Sequence, residues 1–427
     1  MRSVSVYLVF FIFCFACRVS GQIKSIDYHR DIRPILQKHC VSCHYKDGPA
    51  PFSLETYTDA AKRNKFIAHV TTTGYMPPWK ADVGFRTFRN QRILSDVEKD
   101  MLRRWVDQPF NERLSREKVK KTSEPVVKNK ADLHITMKNK YAIPANNKDD
   151  FRFFHLPANI LNDTYLTGLQ FVPGNTSRVH HSRIMVDTTG LIAGIDGLSE
   201  TDPAVYNFQK HPLADEFLYG WVPGNYTFRF PTGFGKKLIK GSSFILNMHY
   251  APSSLQEVDQ SGVHLYFAKP KEVLREVKTM ILRENDITNK PFYLPAGTKP
   301  MFYLTSGLIQ NDISLITVQP HAHLLGKSFR AFAITQEGDM IPLIKIDNWD
   351  FDWQTTYEFD KLIHIPAGSI IIMETQYDNT AENPRNPHNP PKDVTYGWRT
   401  VDEMMNLIMY YVDYKPGDET KILSYPD

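Results

Sequence analysis

The chain has 427 residues, 42% hydrophobic and 23% charged, the composition of an ordinary globular protein with room for about three domains. A net charge of +4 is too small at this length to argue for nucleic acid, and at most helps an anionic partner to dock. Beyond the first twenty residues no apolar run is long enough to span a bilayer, which excludes an integral membrane protein from the expectations.

Met1 and Arg2 precede an apolar run from Val6 to Cys17. The run is too short for a membrane helix and reads as a signal peptide, residues 1–21, cut near Ser20–Gly21. Export to a periplasm or the extracellular space is therefore expected, with a lipid-anchored Cys17 as the weaker alternative. Removal of the signal takes Cys14 and Cys17 with it and leaves Cys40 and Cys43 as the mature cysteines. Residues 22–110 read as a first, helical unit. Ile26–Gln37 carries Ile32, Ile35 and Leu36 on one face, and Leu94–Val106 repeats Val97, Met101, Leu102 and Trp105 at helical spacing behind a capping Ser95 or Asp96. Residues 111–130 are lysine-rich and poor in large apolar side chains, the pattern of a solvated linker. The remainder changes to short β-type runs broken by Pro, Gly and Asn: Tyr165–Val172, Phe244–Tyr250, Val263–Phe267, Leu315–Val318, Ile370–Tyr377 and Leu407–Val412. Its length predicts two all-β sandwiches, 131–275 and 276–427.

Cys40-Val41-Ser42-Cys43-His44 is the C-x-x-C-H pattern of covalent haem attachment. The thiols add to the haem vinyl groups and His44 is placed to take one axial position on iron. A redox C-x-x-C pair belongs near a βαβ pattern, and none is visible; a zinc site needs a second ligand pair, which is missing. For the sixth position a thioether on a proline-stiffened loop is the choice: Met76, in Tyr75-Met76-Pro77-Pro78-Trp79. His29, His39 and His69 are the substitutes should the ligation be bis-histidine. The unit resembles a small class I cytochrome c, with a helix before the motif, a methionine loop and a closing helix bearing Trp105.

Three histidine clusters stand out in the β region: His180-His181, His249, and His321-Ala322-His323. Residues i and i+2 of a strand share a face, so His321 and His323 can grip one ion. Adjacent His180 and His181 can do so only at a bulge or a strand end. Imidazole suits copper, zinc, iron or nickel, and the bland alternative is a hydrogen-bonded or cross-strand histidine. A methionine would select copper, and Asp402-Glu403-Met404-Met405-Asn406-Leu407 supplies two, although most methionines only fill a core.

In this order the motifs His-His, His-Tyr, His-x-His-x-Leu-Gly-Lys and Asp-Glu-Met-x-Asn-Leu resemble the copper type II, ascorbate-dependent monooxygenases, over roughly residues 130–427. The resemblance implies two jelly-roll-like β domains, each with one copper, facing across a solvent-filled cleft. It implies that His180, His181 and His249 hold an electron-storing copper. His321, His323 and Met404 would hold the copper that meets O2 and substrate, and Asn406 would touch substrate. The chain departs from the family's peptide enzyme at Gln319, where that enzyme has a carboxylate-gripping arginine, at Ile408, where it has a tyrosine, and at Met405, where it has a cysteine. A neutral or apolar substrate is the implied consequence.

The whole reads as a multidomain chain: a small all-α cytochrome c domain, then two all-β jelly-roll-like sandwiches. The expected function is hydroxylation of a C–H bond of a small molecule or peptide by O2, with one haem c and two coppers. Electrons come through the haem, from ascorbate, or from both, so an external donor is needed. The alternatives are a non-catalytic haem and copper electron-transfer or copper-binding protein, and a haem protein whose β region only docks.

Overall fold

The computed structural model describes residues 26–46, 48, 50–116, 130–209, 216–225, 227–272, 274–397 and 399–426. The expected signal segment, and residues 117–129 of the lysine-rich stretch, lie outside them. Among the described residues no helix is long and apolar enough to cross a membrane. The chain is mostly β, built of several small sheets, with its α-helices concentrated before residue 116.

The first expected helix is divided. Asp27 caps a wide turn over Tyr28–Ile32, which passes directly into the helix Arg33–His39. Pro34 explains the division, because it lacks the N–H that would continue a regular ladder back into the preceding turn. The closing helix runs Asp96–Trp105 behind a full capping box, Ser95 with Glu98. Tyr57–Ala61 and Asn64–Thr72 are further helices that the periodicity did not single out. Tyr28, Ile32, Leu36, Leu54, Leu102 and Trp105 bury one small core among them.

After Asn64–Thr72 the chain leaves this core. Residues 79–92 run onto the second β domain: Ala81 and Phe88 are buried in its core, and Phe88 stacks on Phe359 (5.5 Å). Asp82 N–H donates to Lys345 O (2.8 Å), and Arg89 pairs with Glu358. The segment bearing the expected methionine loop is therefore fastened to a sheet more than 250 residues away in sequence.

The first β domain packs two sheets around one core. One has the order Leu133–Thr136, Gly262–Phe267, Thr164–Val172, Phe234–Leu238 and Arg275–Glu276, with Phe228–Arg229 pairing onto Thr164–Val172. The other has the order Asp150–Leu156, Ser243–Tyr250, Val179–Asp187 and Glu216–Trp221. The chain then crosses into a second pair of sheets. Lys278–Leu282, Asn406–Asp413, Ile313–His321 and Tyr357–Ile365 form one; Met301–Leu308, Ile370–Tyr377, Gly326–Ile334 and Met340–Ile346 form the other. The six β runs marked in the sequence all lie within strands.

The two β domains share apolar contacts. Ile316, Leu362, Tyr410 and Val412 of the second extend the core of the first, and the Tyr410 hydroxyl donates to Leu218 O. This contact sets Glu216–Trp221, the neighbour of Val179–Asp187, against Ile313–His321 and Asn406–Asp413, so that His181 and His321 line one cavity.

Candidate metal centres and their shared cavity

Val179–Asp187 carries the first histidine pair. Its pairing with Ser243–Tyr250 shifts register between Val179 and His181, so Val179 faces Tyr250 while His181 faces His249. The bulge turns two sequence neighbours toward one point. Nδ1 of His181 lies 3.3 Å from Nδ1 of His180 and 3.3 Å from Nδ1 of His249. Nitrogens held about 2.0 Å from one ion are ~3.3 Å apart at tetrahedral angles, so the spacing fits a shared metal. His249 Nε2–H donates to Asp149 Oδ1 (2.7 Å), which leaves Nδ1 with its lone pair, and Phe151 stacks on the same ring (4.2 Å). Burial is the main cause that lowers the pKa of His180 and takes that of His181 well below the ordinary range, so both are neutral donors near pH 7.

His321 ends its strand and His323 follows in the turn, with ring centroids 5.2 Å apart. Pro320 is tolerated here because pairing with Tyr357–Ile365 has already stopped at Val318, leaving an edge. His321 Nδ1–H donates to Gln354 Oε1 and His323 Nδ1–H to Asp402 O (3.0 Å), so each ring keeps Nε2 for an ion. Burial lowers His321 to about 3 and His323 to about 4. His321 pairs in register with Asn406, two residues beyond Met404, which is 3% exposed.

Glu403 ties these segments together. Its buried carboxylate accepts from the N–H groups of His323, Leu325 (2.9 Å) and Met404 (2.9 Å). Burial still pushes its pKa up to about 8, against the pull of those donors. The Tyr377 hydroxyl holds Met404 O (2.7 Å). The sequence marked Glu403 only as part of a motif, and an acid next to Asp402 gave no sign that it alone would be buried.

The two groups line one cavity, His181 from one side and His321, Met404, Asn406 and Gln319 from the other. Asn406 Oδ1 is buried and has no hydrogen-bond partner among the described residues. Gln319 instead accepts from the Thr356 hydroxyl. Arg183, two residues past His181, also lines the cavity, so it is more cationic than Gln319 alone implied. The Phe351 ring touches both groups, 5.8 Å from the His181 ring and 5.9 Å from the His323 ring.

Cys40, Cys43 and His44 share one turn after Arg33–His39, with His44 N–H bonded to Cys40 O (2.9 Å). The cysteines are not joined to each other. Burial raises both thiols, Cys40 to about 12. His44 Nδ1–H donates to Phe52 O (3.0 Å), leaving Nε2 available, as an axial ligand requires. Met76 lies on a different loop, its N–H bonded to Val70 O (3.0 Å). Cys43 abuts the first β domain: a Cβ added at Gly224 would come within 2.1 Å of its sulfur. Asn225 O, one residue on, accepts from Trp221 Nε1 (3.0 Å), and Trp221 lines the histidine cavity.

Residues 301–422 match the sequence profile of the copper type II ascorbate-dependent monooxygenase C-terminal domain. A putative DBH-like monooxygenase protein 2 from Homo sapiens is 24% identical over 272 residues, 59% of this chain and 50% of the human protein. The chain thus spans about half the length of the curated relative it matches. Both matches support the copper type II monooxygenase family. Among solved structures, infectious bursal virus T=1 particles align over 70% of this chain and 82% of theirs, at 8% identity and a TM-score of 0.16. A Paenibacillus xanthan lyase aligns over 67% of this chain and 26% of its own, at 9% identity and a TM-score of 0.15. Scores this low carry no argument about fold.

Proposed function

We propose that this chain is a copper-dependent monooxygenase that hydroxylates a C–H bond with O2 and receives electrons through a covalently attached haem, from ascorbate, or from both. The observation that carries the reading is one cavity lined by His181, which converges with His180 and His249, and by His321 and Met404, with the His323 ring 5.2 Å from that of His321. His180, His181 and His249 would hold one copper, and His321, His323 and Met404 the other. The balance is R–H + O2 + 2e⁻ + 2H⁺ → R–OH + H2O. Copper, when bound, supplies the one-electron steps and the activation of O2.

The chain's own groups do the rest. Asn406 offers an unpaired buried acceptor to a substrate N–H or O–H, and leaving it unpaired costs about 1–3 kcal/mol. Gln354 and Asp402 O hold the proton on Nδ1 of each second-site histidine, so neither ring turns its N–H toward the ion. The substrate is a small molecule or peptide that enters the cavity and meets Asn406 and the His321 ring side by side on its wall.

Cys40, Cys43 and His44 would hold haem c, with Met76 as sixth ligand, and haem supplies single-electron delivery. Supporting this is the contact of Cys43 with Gly224, three residues from a tryptophan of the cavity wall. The apolar leader fits export to a periplasmic or extracellular setting, where haem attachment and copper loading are compatible.

The test is metal and haem analysis of mature protein, followed by turnover with ¹⁸O2. One haem, two coppers and one labelled oxygen in product are expected. Full copper loading with O2 consumed but no labelled product in any C–H substrate screen would favour a non-catalytic redox protein instead.

A further inference from the structure

The residues 350–354 belong to the second β domain, yet they reach both histidine groups and the segment that follows Met76. Asp350 pairs with Lys80 (3.1 Å), four residues past Met76. The Phe351 ring lies 5.8 Å from the His181 ring and 5.9 Å from the His323 ring, nearly perpendicular to both (84° and 88°). Asp352 Oδ1 is 3.9 Å from His180 Nε2. Gln354 Oε1 accepts the hydrogen bond from His321 Nδ1–H.

The turn is held as a unit. Gln354 Nε2 donates to Phe351 O (2.9 Å), and Arg385 grips both Asp350 (3.0 Å) and Asp352 (2.7 Å). Phe351 is 6% exposed but belongs to none of the hydrophobic cores. A buried phenylalanine ordinarily fills a core. This one packs against imidazoles of two different candidate centres.

We propose that Phe351 is a positioning residue that couples the two centres, so that an ion bound at one tightens binding at the other. The inference rests on the copper reading above. An ion on His181 fixes that ring and, through its edge contact, the orientation of Phe351. The cost of ordering His323 against Phe351 is then already met when the second ion arrives. Thermodynamic reciprocity requires the same gain in the opposite direction.

The experiment is anaerobic Cu(I) titration against a competing chelator, with the full chain. The quantity read is the affinity of the His321, His323 and Met404 site with the first site loaded, divided by its affinity in His249→Ala. With Phe351 present a ratio of at least about 5 is expected, falling below about 2 in Phe351→Ala. General loosening would weaken both states alike and leave the ratio unchanged. A ratio that survives Phe351→Ala overturns the proposal, as does a ratio near unity in the parent protein. Should Phe351→Ala lose copper outright, Phe351→Leu keeps the apolar volume without the flat edges, and the same fall in ratio is expected of it. A parent protein that binds no copper overturns both the function above and this coupling. Two coppers of unlinked affinity overturn the coupling alone.

Discussion

The two histidine groups are built by different means. The first sits on a sheet face. Paired strands and one bulge converge its three imidazoles, and its one oriented ring leans on Asp149, whose side chain is 54% exposed. The second sits where strands end. Its rings are oriented by a backbone carbonyl and an amide, and a buried carboxylate pins its loops from beneath. A sheet-borne site of equal donors can stay the same in either oxidation state. A loop-borne site with a buried thioether favours the reduced ion, and it depends on the group that pins it.

The largest expected contrast is in turnover. Met404→Ala should reduce hydroxylation at least about 100-fold while anaerobic electron delivery to the first site survives, as rapid-mixing spectroscopy would read. Wild-type turnover in this variant would erase the distinction between the sites. His249→Ala should remove about one copper equivalent and leave the other, because three converging donors become two. Loss of both equivalents would point to one shared cluster.

Glu403→Gln sharpens the comparison. It replaces one acceptor oxygen with an amide NH2 that faces backbone N–H groups, at a cost of about 1–3 kcal/mol in denaturant unfolding above the carboxyl's raised pKa of about 8. Copper affinity should fall at the second site and hold at the first. Asp149→Asn is the smaller counterpart: a half-exposed partner lost, and first-site affinity reduced about 10-fold.

Acid probes the second site without a substitution. Burial keeps His321 and His323 neutral in the folded state down to about pH 3 and 4, whereas the unfolded chain takes up protons near the ordinary 6.5. Stability of the copper-free protein should therefore fall as pH drops below 6.5, by up to about 1.4 kcal/mol per pH unit for each ring. His321→Gln should flatten that slope in denaturant titrations.

Much of this arrangement was legible in the residues. Alternation and turn chemistry marked the strands Thr164–Val172, Ser243–Tyr250 and Asn406–Asp413 to within a residue or two at each end. The histidine pairs stood out because a strand of period two makes specific demands on neighbours: to share one ion, His180 and His181 needed a bulge or a strand end, and the fold supplies the bulge. Other parts were not legible. Residues 79–92 carry no periodic signal, and their attachment to Lys345 and Glu358 is a matter of three-dimensional complementarity. Phe351 reads in the sequence as one more aromatic near Trp349 and Trp353. Only the fold brings His181 and His323 to its two edges.

X-ray absorption of the fully Cu(I)-loaded protein tests the central claim, two unlike copper sites on one cavity, most directly. A sulfur neighbour is predicted at one copper of the two, rising to every remaining copper in His249→Ala and vanishing in Met404→Ala. A sulfur signal that persists in Met404→Ala, or that is absent from the parent protein, would contradict it.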